Sequence, residues 1–233
     1  MIISDNSKRP SERFIEIVKP YFEQKGYSFK KSAKQFVFFT DNGQKTVGLR
    51  FYTTIDLVSA NLYWMLTFLP LEKIFATLNG HPKKFKNEGS VMADLLNYSL
   101  RRRDDAEYQV SLFNGNLKYD DFSLNNGALK IIALFEKYIE PYFKTHADYF
   151  SLEKLFNQLP ISSSDLTPYY RKHACFGLIL AKYYDREDFQ LLVSSYKQYA
   201  GQMHYIVKDQ MLEIIDKTLQ HISNSNIKVA LGD

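Results

Sequence analysis

The hydrophobic period of this 233-residue chain changes near Asn125. Ahead of that point one helical stripe gives way to runs of β-branched and aromatic residues; beyond it, apolar residues recur at i, i+3 and i+4 almost to the end. A period of two puts successive side chains on opposite faces of a strand, and a period near 3.6 gathers them on one face of a helix. Strands grouped before helices, rather than alternating with them, predict the α+β class. The expectation is an N-terminal helix and an antiparallel sheet of five or six strands over residues 1–124, then a mainly helical region over 125–233 packed on that sheet as one compact unit.

Phe14, Ile17, Val18, Tyr21 and Phe22 form the apolar stripe of the first helix, and Gly26 is placed to end it. The stretches YSFK, KQFVFFT, KTVGLRFYTT and SANLYWMLTFL read as strands. Between the second and third, Asp41-Asn42-Gly43-Gln44 signals a hairpin, because Asn-Gly readily takes the positive φ angles of a tight turn. PLEKIFATLNG predicts a short helix with Pro70 in its first turn and Asn79-Gly80 at its end. HPKKFKNEGS is a basic loop, VMADLLNYSLRRR fits either helix or strand, and EYQVSLF reads as strand. After Asn125, Phe135, Tyr138, Ile139, Tyr142 and Phe143 repeat the stripe of the first helix. SLEKLFNQL starts with Ser151 as N-cap and ends before Pro160. SSSDLTP is a loop, and three more helices follow, in YYRKHACFGLILAKYYD, DFQLLVSSYKQYA and YIVKDQMLEIIDKTLQHI.

Two stretches nearly repeat each other: FIEIVKPYFEQKG from Phe14 and FEKYIEPYFKTHA from Phe135. At 100° per residue, Pro20 and Pro141 both fall well away from the apolar stripe. An internal proline deletes a backbone hydrogen bond and clashes with an earlier carbonyl, but on a solvent face water satisfies the freed oxygen. The repeat predicts two bent or broken amphipathic helices whose Tyr and Phe wrap a curved sheet. The flanks do not match over a full unit, so packing rather than duplication accounts for it.

Composition enters where function is concerned. The opening MIISDNSKRPSER carries polar and charged residues where a secretory signal needs an apolar run. The most apolar stretch, Asn61–Leu71, is about half the roughly 20 residues of a membrane-spanning helix. A single cysteine, Cys175, can form neither an internal disulfide nor a zinc cluster. These features predict a cytoplasmic protein without a membrane segment. The formal net charge is +4, and all of the excess lies in residues 1–124, with 18 Lys and Arg against 14 Asp and Glu. Lys83, Lys84, Lys86, Arg101, Arg102 and Arg103 concentrate it between residues 81 and 103.

Motifs for chemistry are sparse. His81, His146, His173, His204 and His221 are dispersed, without the spacing that puts two imidazoles on one helical face. Phosphate loops, dinucleotide fingerprints and nucleophile elbows are missing. His173 and Cys175, two apart on a helix, do not face each other, so Cys175 reads as a small core residue. Asp104, Asp105 and Glu107 resemble the carboxylates of metal-dependent nucleases, but the assisting lysine is missing and Gln109 replaces it poorly; a solvated turn is the simpler reading. Asp120-Asp121 reads as turn chemistry. Phe39, Phe51 and Tyr52 beside a basic segment are suited in type to stacking unpaired bases, though strand aromatics are usually core.

The opening helix, KGYSFKKSAKQFVFF, the hairpin, VGLRFYTT, and later YIEPYF and SLEKLFNQL resemble an uncharacterised family of bacterial domains of unknown function. The resemblance covers about two thirds of the chain, leaves out the final helices from Asp188 onward, and implies an interaction or immunity role. The leading expectation is a non-enzymatic protein-binding module without cofactor or metal, its partner another protein. Arg50, Tyr52 and Trp64 on the sheet, with Lys83, Lys84, Lys86, Arg101, Arg102 and Arg103, are the candidate binding residues. The alternatives are a metal-dependent nuclease or phosphodiesterase built on Asp104, Asp105 and Glu107, and nucleic-acid binding through residues 81–103.

Overall fold

The computed structural model describes residues 9–53, 58–80, 89–94, 109–111, 121–158 and 170–232. Helix α1 spans Pro10–Gln24, with Pro10 at the position where a missing N–H costs nothing. The Glu12 carboxylate accepts from the Arg9 backbone N–H at 3.3 Å. The helix stops at Gly26 as the sequence predicts. The Gly26 and Tyr27 N–H groups donate to the Glu23 and Phe22 carbonyls at 2.9 and 3.0 Å, the paired bonds of a Schellman stop, with Gly26 at φ 86°.

Strands β1 (Ser28–Lys30), β2 (Gln35–Thr40), β3 (Gly43–Thr53), β4 (Val58–Phe68), β5 (Val91–Asp94) and β6 (Gln109–Ser111) form one sheet. Its order is β1-β2-β3-β4-β5, and β6 also pairs with β4, antiparallel, with Ser59 opposite Ser111 and Asn61 opposite Gln109. The ambiguous VMADLLNYSLRRR begins as strand; its part from residue 95 lies outside the described residues. The β2–β3 hairpin forms around Asp41 and Asn42, but neither Asn42 nor Gly43 takes a positive φ. Gly43 is required for a different reason: a Cβ there would sit 1.7 Å from the Thr67 carbonyl oxygen, so the glycine permits a close backbone approach.

Helix α2 (Leu69–Leu78) carries Pro70 in its first turn. Helix α3 (Asp121–Leu134) leads into a π-helical turn at Phe135–Ile139 and then α4 (Glu140–Thr145). Helices α5 (Tyr149–Phe156), α6 (Tyr170–Tyr183), α7 (Phe189–Gly201), α8 (Tyr205–Asn224) and α9 (Ile227–Leu231) complete the described chain. Two expectations change here. Asp148, not Ser151, caps α5: its Oδ1 accepts from the Ser151 backbone N–H at 2.8 Å, leaving Ser151 in the first turn. Asp121, read as turn chemistry, opens a helix.

Contacts divide the chain into two compact units interleaved in sequence: Met1–Thr40, Gln44–Met65 and Ala93–Tyr142 form one, and Asp41–Gly43, Leu66–Met92 and Phe143–Asp233 the other. In the first, Phe22 of α1 stacks on Phe36 of β2 with centroids 4.4 Å apart and meets Phe135 edge-on at 5.0 Å. Phe14 meets Phe51 of β3 edge-on at 6.0 Å.

The repeated Pro-Tyr-Phe segments pack against each other. Tyr21 Oη donates to Glu136 at 2.8 Å, Lys25 pairs with Glu140 at 2.9 Å, and the Tyr21 ring meets Phe135 edge-on. Both prolines face solvent. Their helices absorb them differently. Helix α1 runs unbroken through Pro20, whereas the turn before Pro141 widens into the π segment, the bulge that relieves a clash between a proline ring and the preceding turn.

In the second unit α6 is the hub. Every residue from Lys172 to Ala181 is buried, and α2, α5, α7, α8 and α9 all pack on it. A helix apolar on only part of its circumference but buried all round must satisfy its polar groups internally.

Candidate binding surface

Alternation along β3 and β4 sorts the candidates. Leu62 and Trp64 fall on one face of β4, and Trp64 is fully buried, its ring edge-on to Tyr142 at 5.6 Å. Trp64 therefore leaves the candidate surface: a large ring on the inward face of a central strand fills the core.

Arg50 and Tyr52 lie on the opposite face of β3 from Leu49 and Phe51, and both are exposed. The Arg50 guanidinium carbon sits 4.7 Å from the Tyr63 ring centroid. That ring lies across Gly48, where a Cβ would come 2.0 Å from Tyr63 Cζ, and the Tyr63 hydroxyl accepts from Gln35 Nε2 at 2.8 Å. The glycine, the glutamine and the arginine together fix the tyrosine flat on the strand. The product is a rigid arginine–aromatic pair with Tyr52 beside it, the residue types that anchor protein interfaces. Neither Tyr63 nor Gly48 stood out in the sequence. The signal was a glycine in mid-strand, which marks a close approach without naming its partner.

Lys83, Lys84, Lys86, Arg101, Arg102 and Arg103 lie outside the described residues, as do Asp104, Asp105 and Glu107. Among the described residues no cluster of three or more histidine, cysteine or carboxylate side chains is arranged to hold a metal ion.

Cys175, His173 and Tyr196 of the helical unit are engaged in its interior. Cys175 is fully buried, and burial pushes its thiol up to about 12. His173 is turned toward the Phe156 carbonyl, its Nε2 at 2.8 Å, and burial holds its pKa below the usual histidine value. Tyr196 Oη donates to the same carbonyl at 2.9 Å, and Asn157 Nδ2 to the Glu153 carboxylate and the Gly177 carbonyl, each at 2.9 Å. Deeper still, Lys172 pairs with Glu72 at 2.8 Å, both 1% exposed. Ser90 Oγ donates to the other Glu72 oxygen and accepts from the Phe68 backbone N–H, both at 2.9 Å. Sequence gave no hint of this pair: the two residues stand far apart in the chain and look like ordinary surface charges on amphipathic helices.

No protein-family model, curated protein or solved structure matches this chain. Among the described residues no helix is long and apolar enough to cross a membrane.

Proposed function

We propose that this protein is a non-enzymatic, cytoplasmic protein-binding module, of the immunity type that the bacterial resemblance implies, and that it engages its partner through the Arg50, Tyr52 and Tyr63 face of the sheet. One observation carries this reading. Exposed Arg50 and the half-buried Tyr63 ring beneath it are pre-ordered by Gln35 and Gly48, whereas Cys175 and the Lys172–Glu72 pair are closed inside the helical unit. A surface already held in one geometry loses little side-chain freedom on binding, which favours association.

The test is capture with a photo-crosslinking residue at position 52, in a native lysate, of wild type and an Arg50→Glu variant of unchanged thermal midpoint. A discrete crosslinked partner that disappears with Arg50→Glu supports the reading. Equal crosslinking by both proteins, or none by either, overturns it. Divalent-metal-dependent cleavage of DNA or RNA, lost in Glu107→Gln, would replace it with the nuclease reading.

A further inference from the structure

We infer that helix α3 is the contact through which two copies of this chain associate. The contact shares no residue with the Arg50, Tyr52 and Tyr63 face and goes beyond the role proposed for it.

Helix α3 is apolar on both sides. On its inner side Leu124, Ala128 and Ile131 are buried, and the helix packs on α1. A surface helix normally turns charged and polar residues to water on its other side. Helix α1 does so, exposing Glu12, Glu16, Glu23 and Gln24. Along α3 from residue 122 the exposed side chains are Phe122, Asn125, Asn126, Leu129, Lys130 and Ala133, with Lys130 the one charge among them. Phe122 is 74% exposed, the highest value among the large hydrophobic side chains described, and Leu129 is 65% exposed. At 100° per residue these two fall within about 20° of each other around the axis, and Asn126 and Ala133 lie in the same stripe. Single exposed apolar residues are ordinary on a protein surface, but a Phe and a Leu aligned two turns apart make a seam.

Charge and symmetry identify the occupant. The chain carries a net charge of +4, so two copies repel each other unless they meet where neither presents charge. The seam of Phe122, Asn126, Leu129 and Ala133 is uncharged. A two-fold contact uses the same patch on both copies and must complement itself. Asn126 stands near the middle, between Phe122 and Leu129, so a two-fold contact there brings the two Asn126 amides together with apolar side chains on either side. An amide carries both donor and acceptor and pairs with its own copy. A single asparagine in an apolar seam also fixes the register of a helix pair. Nucleic acid or an acidic segment would need cations along the helix, and its exposed side offers only Lys130.

The seam is short, and one helix pair of this length buries less than the roughly 1,200–2,000 Å² of stable interfaces. The dimer is therefore weak and reversible, with a dissociation constant on the order of 10–100 μM.

The test is sedimentation velocity of the full chain from ~5 to ~500 μM, a range that brackets such a constant. The proteins are wild type, Leu129→Glu, and the control Leu191→Glu, the same substitution at an exposed leucine of α7, each of unchanged thermal midpoint. Wild type and the control are expected to pass from monomer to dimer across the range, and Leu129→Glu to raise the dissociation constant at least about tenfold. Independently, Asn126→Cys is expected to form a disulfide-linked dimer on mild oxidation while exposed Gln198→Cys does not; native Cys175, fully buried, does not compete. A monomer at every concentration, equal losses in the two glutamate variants, or crosslinking at position 126 no better than at 198 overturns the inference.

Discussion

Lys172 Nζ lies 2.8 Å from a Glu72 carboxylate oxygen, and each side chain is 1% exposed. The pair ties α6 to α2 through charges that have left water, with Ser90 and the Gly89 carbonyl completing their hydrogen bonds. Attraction in such a setting roughly offsets the cost of desolvation, but removing one partner leaves the other charge buried alone. Glu72→Gln is therefore expected to lose about 3–5 kcal/mol of stability in urea unfolding. The double variant Glu72→Met/Lys172→Met should recover most of that loss. Singles and double falling equally would show that shape, not charge, matters at this point.

Gly177 is crowded by Tyr196: a Cβ would stand 2.0 Å from the tyrosine oxygen and 2.8 Å from Asn157 Oδ1. Gly177→Ala must push apart α6 and α7 at the point where Tyr196 and Asn157 share their hydrogen bonds. The expected loss is about 1–3 kcal/mol. In a Tyr196→Phe background the oxygen is gone, so the same substitution should cost less. A double-mutant cycle by chemical denaturation should show coupling of at least ~0.5 kcal/mol; strict additivity would mean that the clash is relieved elsewhere.

The α+β class, the first helix with its glycine stop, and the strand runs were legible because each rests on local periodicity or on one residue with restricted backbone choices. Ser151 misled because a serine before an apolar run looks like a cap, while Asp148, three residues earlier, starts the helix sooner and accepts from both the backbone N–H and the hydroxyl of Ser151. Asn42-Gly43 was read for backbone angle when Gly43 answers to the approach of Thr67. The candidate surface was half visible. Arg50 and Tyr52 could be picked by residue type, but their separation from Trp64 depends on strand phase, and Tyr63 enters only when β3 and β4 are paired. The Lys172–Glu72 pair had no local signature because its logic is entirely tertiary.

Pro20 and Pro141 occupy equivalent places in the two repeats, yet only the turn before Pro141 has widened. No widened turn precedes Pro20 in α1, so Pro20→Ala is expected to restore a backbone hydrogen bond and remove the steric conflict an internal proline imposes on an α-helical turn. A gain of about 1 kcal/mol or more is expected, net of the extra freedom given to the unfolded chain. Pro141→Ala should gain less, since the π segment has already opened the turn. Thermal unfolding of the two single variants decides this; a larger gain at Pro141 would show that the π segment is strained rather than relieved.

The buried thiol of Cys175 gives a prediction in pH. Burial raises it from 9.0 to about 12, so the folded protein holds the proton after the unfolded chain has released it. The unfolded state then binds fewer protons than the native state, and stability must fall as pH rises through that window, with no contribution from this group below it. Tyr196 is shifted upward by burial and adds to the same alkaline loss, so the wild-type curve alone does not isolate the thiol. Comparison with Cys175→Ala does, because the cavity left by the substitution costs the same at every pH. Between about pH 8 and about pH 10.5, wild type is expected to lose about 2 kcal/mol more than the variant in urea unfolding. Parallel curves would mean that the thiolate is accommodated in the fold. In that case Cys175 would also react with a thiol reagent in the native protein at alkaline pH, where the buried group is otherwise inert until the helical unit opens.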